Sequence, residues 1–273
     1  MHYFLYSLFV CLLIFPLSAV AAPVAYSTTV LADDPVGYWR LSETAGTTIT
    51  DLSGNGHHGT YYNSPTLNQP GVTATGDRSV LLNGTDEYGL VADSPDFDFR
   101  DFTLEAWIKI NGSATDHRRI ISQQNTTDTE WYLLHLNDNR LCLYSSRDGI
   151  GNLSVGPTLN DGQWHHLVVT RDTIANAVVA YVDGTSVATI ETYDDTTYMI
   201  NRGLAIGSYY GTHQFFPGYL DEIAIYNTAL TATSIQTHYQ VGLGNVVVPE
   251  PACWILAGFF CLSLYWLRFL PIK

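Results

Sequence analysis

Between Tyr26 and Gly244 apolar and polar positions alternate in short stretches broken by Gly, Asn, Asp and Ser. That two-residue period is the mark of a strand with one buried face. Over 103–110, Leu104, Ala106 and Ile108 fall on one side and Glu105, Trp107 and Lys109 on the other. Trp131 to Leu136 and Arg140 to Tyr144 flank the turn cluster Asn137-Asp138-Asn139. A two-residue loop at Asp138-Asn139 sets Leu136 against Leu141 and Leu134 against Leu143 as a core face. Trp131, Leu133, His135, Arg140, Cys142 and Tyr144 then share the opposite face. A second hairpin is predicted at Asp183-Gly184, pairing Val178–Val182 with Thr185–Ile190. Ile235 and Tyr239 fall at helical spacing after Thr231, a capping residue, and predict one short late helix. Many strands and one helix imply an all-β chain folded as a two-sheet antiparallel jelly-roll sandwich.

The two ends follow another pattern. Phe4 to Leu17 is an apolar core followed by Ala19-Val20-Ala21, a cleavage signature, so residues 1–21 read as a signal peptide. Ala252 to Leu267 carries no charge, and the cations Arg268 and Lys273 come after it. The run is slightly short for a membrane span, which needs about 17–25 apolar residues, but Phe269 to Ile272 extend it. It predicts a C-terminal transmembrane helix with the basic end in the cytoplasm and the body outside.

Residues 22–245 then form the body, read as one domain. It is rich in Tyr, Thr, Val, Ile and Gly and poor in Lys, which favours strands and turns. The whole chain has 26 acidic against 12 basic residues, a net charge of −14. Nucleic acid is excluded as an expected partner, because phosphate binding needs clustered Lys and Arg. Surplus carboxylates suit an exported domain and leave room for a divalent cation. Of the 4 cysteines, only Cys142 lies in the body, so no internal disulfide is expected there. Its expected role is that of a small buried hydrophobe rather than a catalytic thiol.

Six segments in order carry a family resemblance: Tyr38-Trp39-Arg40-Leu41, D-L-S-G-N-G-H-H-G from Asp51 to Gly59, F-T-L-E-A-W from Phe102 to Trp107, G-Q-W-H-H-L-V-V-T from Gly162 to Thr170, Y-V-D-G from Tyr181 to Gly184, and F-P-G-Y-L-D-E-I-A-I-Y-N from Phe216 to Asn227. The body resembles LamG-like, concanavalin A-like jelly-roll domains. That resemblance implies two packed antiparallel sheets with ligands on loops or on a concave face, and commonly a carbohydrate or protein partner. Val248-Pro249-Glu250-Pro251, the apolar run and the basic end resemble a PEP-CTERM sorting signal over 246–273, with Pro249, Glu250 and Pro251 as its motif. The usual arginine cluster is reduced here to Arg268 and a distant Lys273. The resemblance implies processing by an exosortase and passage to the cell surface or extracellular matrix of a Gram-negative bacterium. A plain C-terminal anchor explains the apolar run equally well.

Candidate chemistry sits in loops and on strand faces. Asp51, Ser53 and Asn55 place oxygens at positions one, three and five, with Gly56 at six, a spacing that wraps backbone around calcium. Tyr62 replaces the closing glutamate of an EF-hand, so a further carboxylate is required; Asp221 or Glu222 is the candidate that the jelly-roll resemblance supplies. The same loop also reads as an Asx-turn without an ion. The expectation is a structural calcium ion on Asp51, Ser53, Asn55 and Asp221. His57-His58 and His165-His166 cannot each chelate one ion from a regular strand, since neighbours point to opposite faces. No paired-carboxylate glycosidase strand, G-x-S-x-G elbow or H-E-x-x-H is present. Two aromatic patches suit sugar rings with polar partners for the hydroxyls: Trp131, His135, Arg140 and Tyr144 on the hairpin, and Tyr209, Tyr210 and His213 in the loop before Gly218. The reading is an exported, non-catalytic module that binds polysaccharide. A structural or adhesive matrix protein is the alternative, and a polysaccharide lyase or hydrolase a further one.

Overall fold

A computed structural model of the chain describes residues 25–73, 77–110, 113, 116–124, 131–145, 150–192 and 202–245. The N-terminal signal, the Pro249-Glu250-Pro251 motif and the apolar C-terminal run lie outside them. Among the described residues no helix is long and apolar enough to cross a membrane.

In chain order the elements are α1 Tyr26–Ala32, β1 Gly37–Trp39, β2 Thr48–Ile49, β3 Gly59–Tyr62, β4 Thr66–Pro70, β5 Arg78–Asn83, β6 Tyr88–Val91, β7 Phe102–Ile110, β8 Arg118–Gln124, β9 Trp131–Asn137, β10 Arg140–Ser145, β11 Ile150–Val155, β12 His165–Asp172, β13 Ala177–Val182, β14 Thr185–Glu191, β15 Leu204–Ile206, β16 Pro217–Tyr226 and α2 Ala232–Gly242. A single 3-10 turn, Pro95–Phe97, precedes β7. The strands form two antiparallel sheets. The first runs β14-β13-β12-β7-β16-β5-β4, with β1 also paired to β16; the second runs β11-β10-β9-β8-β15-β6-β3-β2. Runs such as β8 to β11 and β12 to β14 stay within one sheet, while the chain crosses between sheets from β5 to β8, from β11 to β12 and from β14 to β16, so the order is a sandwich with crossovers, as the sequence pattern implied.

The core is the layer between the sheets. Leu104, Ala106 and Ile108 of β7 meet Leu134, Leu136, Leu141 and Leu143 of the β9–β10 hairpin within one apolar cluster. That hairpin turns as predicted: Leu141 pairs with Leu136, and Asp138 and Asn139 take φ of 52° and 57°. Both central residues of such a two-residue turn need φ above zero, which Asp and Asn tolerate. The Asp183-Gly184 hairpin forms in the same way, with φ of 52° and 73° and Val182 paired to Thr185.

The reading of β7 as half-buried holds only for its inner face. Glu105 and Trp107 on the outer face are also fully buried, because two helices cover the first sheet. Tyr26 and Val30 of α1 and Val241 of α2 pack with Tyr38, Trp107, Ala224 and Tyr226, while Ile235 of α2 packs on Val168 and Tyr181. The late helix is capped as expected, Thr231 Oγ1 accepting from the Ser234 N–H at 3.1 Å. The pattern did not reveal α1. It has 7 residues and no side-chain cap, and rests on burying Tyr26 and Val30, one turn apart. The opposite, outer face of the second sheet carries neither described helix. It is the side on which polar and aromatic side chains gather.

Candidate functional site

Arg119 of β8 pairs with His135 of β9, and His135 pairs with Cys142 of β10. Directly opposed residues on adjacent strands share a face, so the three form a row on the outer side of the second sheet. A bulge in β8 between Arg119 and Ile121 lets Ile120 and Ile121 both enter the core while Arg119 stays outside. His135 is 0% exposed, and neither of its ring nitrogens has a hydrogen-bond partner. The ring of His117 lies 5.4 Å from that of His135, and its Nδ1 is likewise buried and unpartnered. Burial, then the charge of Arg119, hold both imidazoles below the usual histidine range. Burial pushes the Cys142 thiol up to about 11, so it is a neutral buried group, as its position in the chain suggested.

Arg119 is 5% exposed. Its Nε donates to Gln214 Oε1 at 2.7 Å and its backbone N–H to the Gln214 carbonyl at 3.0 Å. Nη1 is buried without a partner. Burial lowers the guanidinium to about 10. Its charge centre lies 5.8 Å from the ring of Tyr209, a cation–π approach. Tyr209 begins a tight turn through Tyr210 and Gly211, with φ of 49° and 68°, which closes as Thr212 N–H donates to the Tyr209 carbonyl at 3.0 Å. The turn sets the ring of His213 tilted against Tyr209 at 4.5 Å and Arg202 over Tyr210 at 5.3 Å.

Arg119 thus stands between His135 of the hairpin patch and Tyr209 of the loop patch, which are far apart in sequence. Tyr144 is half-buried on the same hairpin face as His135. Arg140 is exposed at the turn end. Trp131 pairs with Gln124 in the ladder, and its side chain lies outside the described part of the structure. Sequence reading missed Arg119, His117 and Gln214. Nothing in the spacing of residues 117, 119 and 214 relates them; β8 and the loop after β15 meet only in the fold.

The loop at Asp51 is organised by hydrogen bonds of its own. Asp51 Oδ1 accepts from the Tyr38 and Ser53 N–H groups at 3.0 and 2.9 Å, and Oδ2 from Ser53 Oγ and the His57 N–H at 2.9 and 2.8 Å. Burial opposes its charge, but these N–H donors outweigh burial and hold the carboxyl below its ordinary value. Asn55 Nδ2 donates to the Val36 carbonyl at 3.0 Å. Asp221 lies with other partners. Its oxygens cluster with those of Asp77 and Glu222 within 4.8 Å, and its Oδ2 accepts from the Val72 N–H at 2.8 Å. Arg40 binds Asp77 at 2.6 Å and Glu222 at 3.0 Å, and Tyr38 donates to Glu222. Asp221 Oδ1 is buried and has no partner. Burial, with Glu222 and Asp77 beside it, raises the Asp221 carboxyl well above its ordinary value, and burial raises Glu222 to about 7. Three carboxylates facing one guanidinium, with one oxygen left over, fit an oxygen-seeking cation. The saturated oxygens of Asp51 do not.

A third polar cluster lies beneath the helices. Glu105 accepts from Tyr26 at 2.7 Å, Tyr226 at 2.9 Å, His166 at 2.7 Å and His238 at 3.0 Å, all buried. His238 Nε2 also meets Asp33 at 3.2 Å. Every partner of Glu105 is enclosed and only Asp33 reaches solvent, so this network joins α1 and α2 to the first sheet. The His165-His166 pair is split between faces as expected: His165 meets Asp183 and Asp161, while His166 meets Glu105.

The sandwich and its crossovers match a known family. Residues 83–236 match the concanavalin A-like lectin/glucanases superfamily, and the chain belongs to it. No curated protein matches the chain. Among solved structures, the binding domain of Paraclostridial Mosquitocidal Protein 1 superposes with a TM-score of 0.60 at 16% identity, over 77% of this chain and 52% of that one. Domain 4 of AbnA, an extracellular arabinanase of Geobacillus stearothermophilus solved with arabinotriose, gives 0.58 at 20% identity, over 76% and 98%. The binding domain of Botulinum Neurotoxin DC in complex with SialylT gives 0.57 at 14% identity, over 78% and 52%. The chain thus spans about half the length of the toxin binding domains. At these identities the likeness shows the jelly-roll fold.

Proposed function

We propose that the body is a non-catalytic glycan-binding module, exported by its N-terminal signal and displayed on the surface or in the matrix of a Gram-negative bacterium. The observation that carries this reading is the 209–213 turn, where the partly exposed rings of Tyr209 and His213 lie 4.5 Å apart with the Arg119 guanidinium behind Tyr209, on the face that neither helix covers. Aromatic rings offer apolar faces to pyranose rings, and guanidinium and imidazole groups bind hydroxyls. Similar sandwiches solved with arabinotriose and with SialylT support a sugar as partner. Binding without covalent chemistry is the reading because the sequence carries no paired-carboxylate glycosidase strand. An exopolysaccharide is the expected ligand class, and an exosortase the expected processing partner of the C-terminal segment. A structural calcium ion would be held by Asp77, Asp221 and Glu222.

The test is a glycan-array and polysaccharide-gel screen of the full chain, with calcium and with chelator. Retention on a defined glycan, without cleavage of it, is the expected result. No retention across a broad panel rejects the reading in favour of a structural, self-associating matrix protein.

A further inference from the structure

Arg119 presents an imbalance that the fold alone does not resolve. A buried guanidinium is ordinarily matched by a carboxylate, because an unpaired charge in the interior is costly. Among the described residues the side-chain oxygen bound to it is the neutral Gln214 Oε1, and Nη1 has no hydrogen-bond partner. The groups beside it deepen the imbalance. His117 and His135 present three buried ring nitrogens without partners. All are groups that donate hydrogen bonds to an anion when protonated or in the suitable tautomer. His117, on one side of Arg119, and Tyr209, on the other, are both half-buried.

We infer that this row is an oxyanion subsite, and that the glycan bound here carries a negatively charged group, a uronate carboxylate or a sulfate ester, which pairs with Arg119 and is flanked by His117, His135 and the ring of Tyr209. The inference rests on the glycan-binding reading and names the ligand class within it. Guanidinium binds oxyanions in a charge-assisted geometry that neutral donors do not match. A metal is the competing occupant, since His117, His135 and Cys142 bring ligating atoms within 4.8 Å of one another. The uncompensated charge of Arg119 beside them repels a cation and attracts an anion, and this decides between the two.

Calorimetric titration of the full chain tests it with galacturonate, glucuronate and mannuronate oligosaccharides, sulfated galactan fragments, and neutral arabino-oligosaccharides. Binding of an acidic oligosaccharide is expected, weakened at least about tenfold by methyl esterification or desulfation, as loss of a charged hydrogen bond implies. Which of the two treatments matters distinguishes carboxylate from sulfate. Arg119→Met should abolish that preference and melt no lower than the native protein, because it removes an unpaired buried charge. Equal affinity for acidic and neutral sugars overturns the subsite and leaves the glycan reading standing; absence of any sugar binding removes both. Binding of copper(I) or zinc that is lost in Cys142→Ser, with no acidic sugar bound, overturns it in favour of a metal. The esterification arm uses native protein, so it decides the matter even if the Arg119 variant does not fold.

Discussion

At the scale of single residues, Asp51 and Asp221 show how the same side chain is set to different work by its donors. Asp51 holds four donors from three segments and has no capacity left for an ion. Asp51→Ala is expected to cost about 2–4 kcal/mol, since it strands buried N–H groups of Tyr38, Ser53 and His57. Urea denaturation should find the same loss with calcium as with chelator; a loss seen only with calcium would return the ion to this loop. Asp221 has one donor and an orphaned oxygen, which leaves room for a proton or a cation. Gly71 makes room for that cluster: a Cβ there would stand 2.8 Å from both Asp221 Oδ2 and Asp77 Oδ2.

At the scale of elements, the Glu105 network explains why two short helices stay on a sheet. Against the cost of burial, the charge of His238 and the hydrogen bonds from His166 and His238 hold Glu105 well below the usual carboxylate range. Burial pulls His238 down, but Glu105 and Asp33 outweigh it and raise the imidazole. The depressed carboxyl stabilises the fold above its unfolded value, and that share is lost as pH falls through the folded value. The raised imidazole stabilises below its unfolded value, and that share is lost as pH rises through the folded one. Stability from this cluster is therefore fullest between the two unfolded values, about 4.3 and 6.5. Glu105→Gln should cost about 3–5 kcal/mol there and flatten both limbs of the stability–pH curve measured by guanidinium unfolding. Unchanged limbs would show that the helices do not depend on this network.

At the scale of the whole molecule, the carboxylate trio ties β1, β5 and β16 and the segment before β5 into one end of the first sheet. Its raised carboxyls work in the opposite sense from Glu105. Their folded values lie above the unfolded ones, so their ionisation drains stability as pH rises from about 4 towards about 7. A calcium ion there would cancel that drain and leave the His238 limb untouched. Calcium at pH 7 is expected to raise the melting temperature over chelator by several degrees, on the order of 1–3 kcal/mol. The shift should vanish in Asp221→Asn and persist in Asp51→Asn. Identical melting curves with calcium and chelator would assign the trio a proton in place of the ion.

The alternation of Leu104, Ala106 and Ile108, the Asp138-Asn139 and Asp183-Gly184 turns and the Thr231 cap are local properties. Side-chain period, turn conformation and capping are decided within a few residues, so the sandwich, both hairpins and α2 were legible in the sequence. Burial of the outer face of β7 was not, because it depends on helices that return from opposite ends of the body. The candidate site divides in the same way. The aromatic residues of the hairpin and of the 209–213 turn stood out by composition, whereas Arg119 became its centre only when a bulge in β8 and the loop carrying Gln214 were brought together. Likewise the acid at position 221 was visible, but its partners Asp77 and Glu222, rather than Asp51, were chosen by strand pairing. Sequence determines what lies within reach of the local backbone; which distant charges must share a low-dielectric space, and which are left unpaired there, is decided by tertiary structure alone.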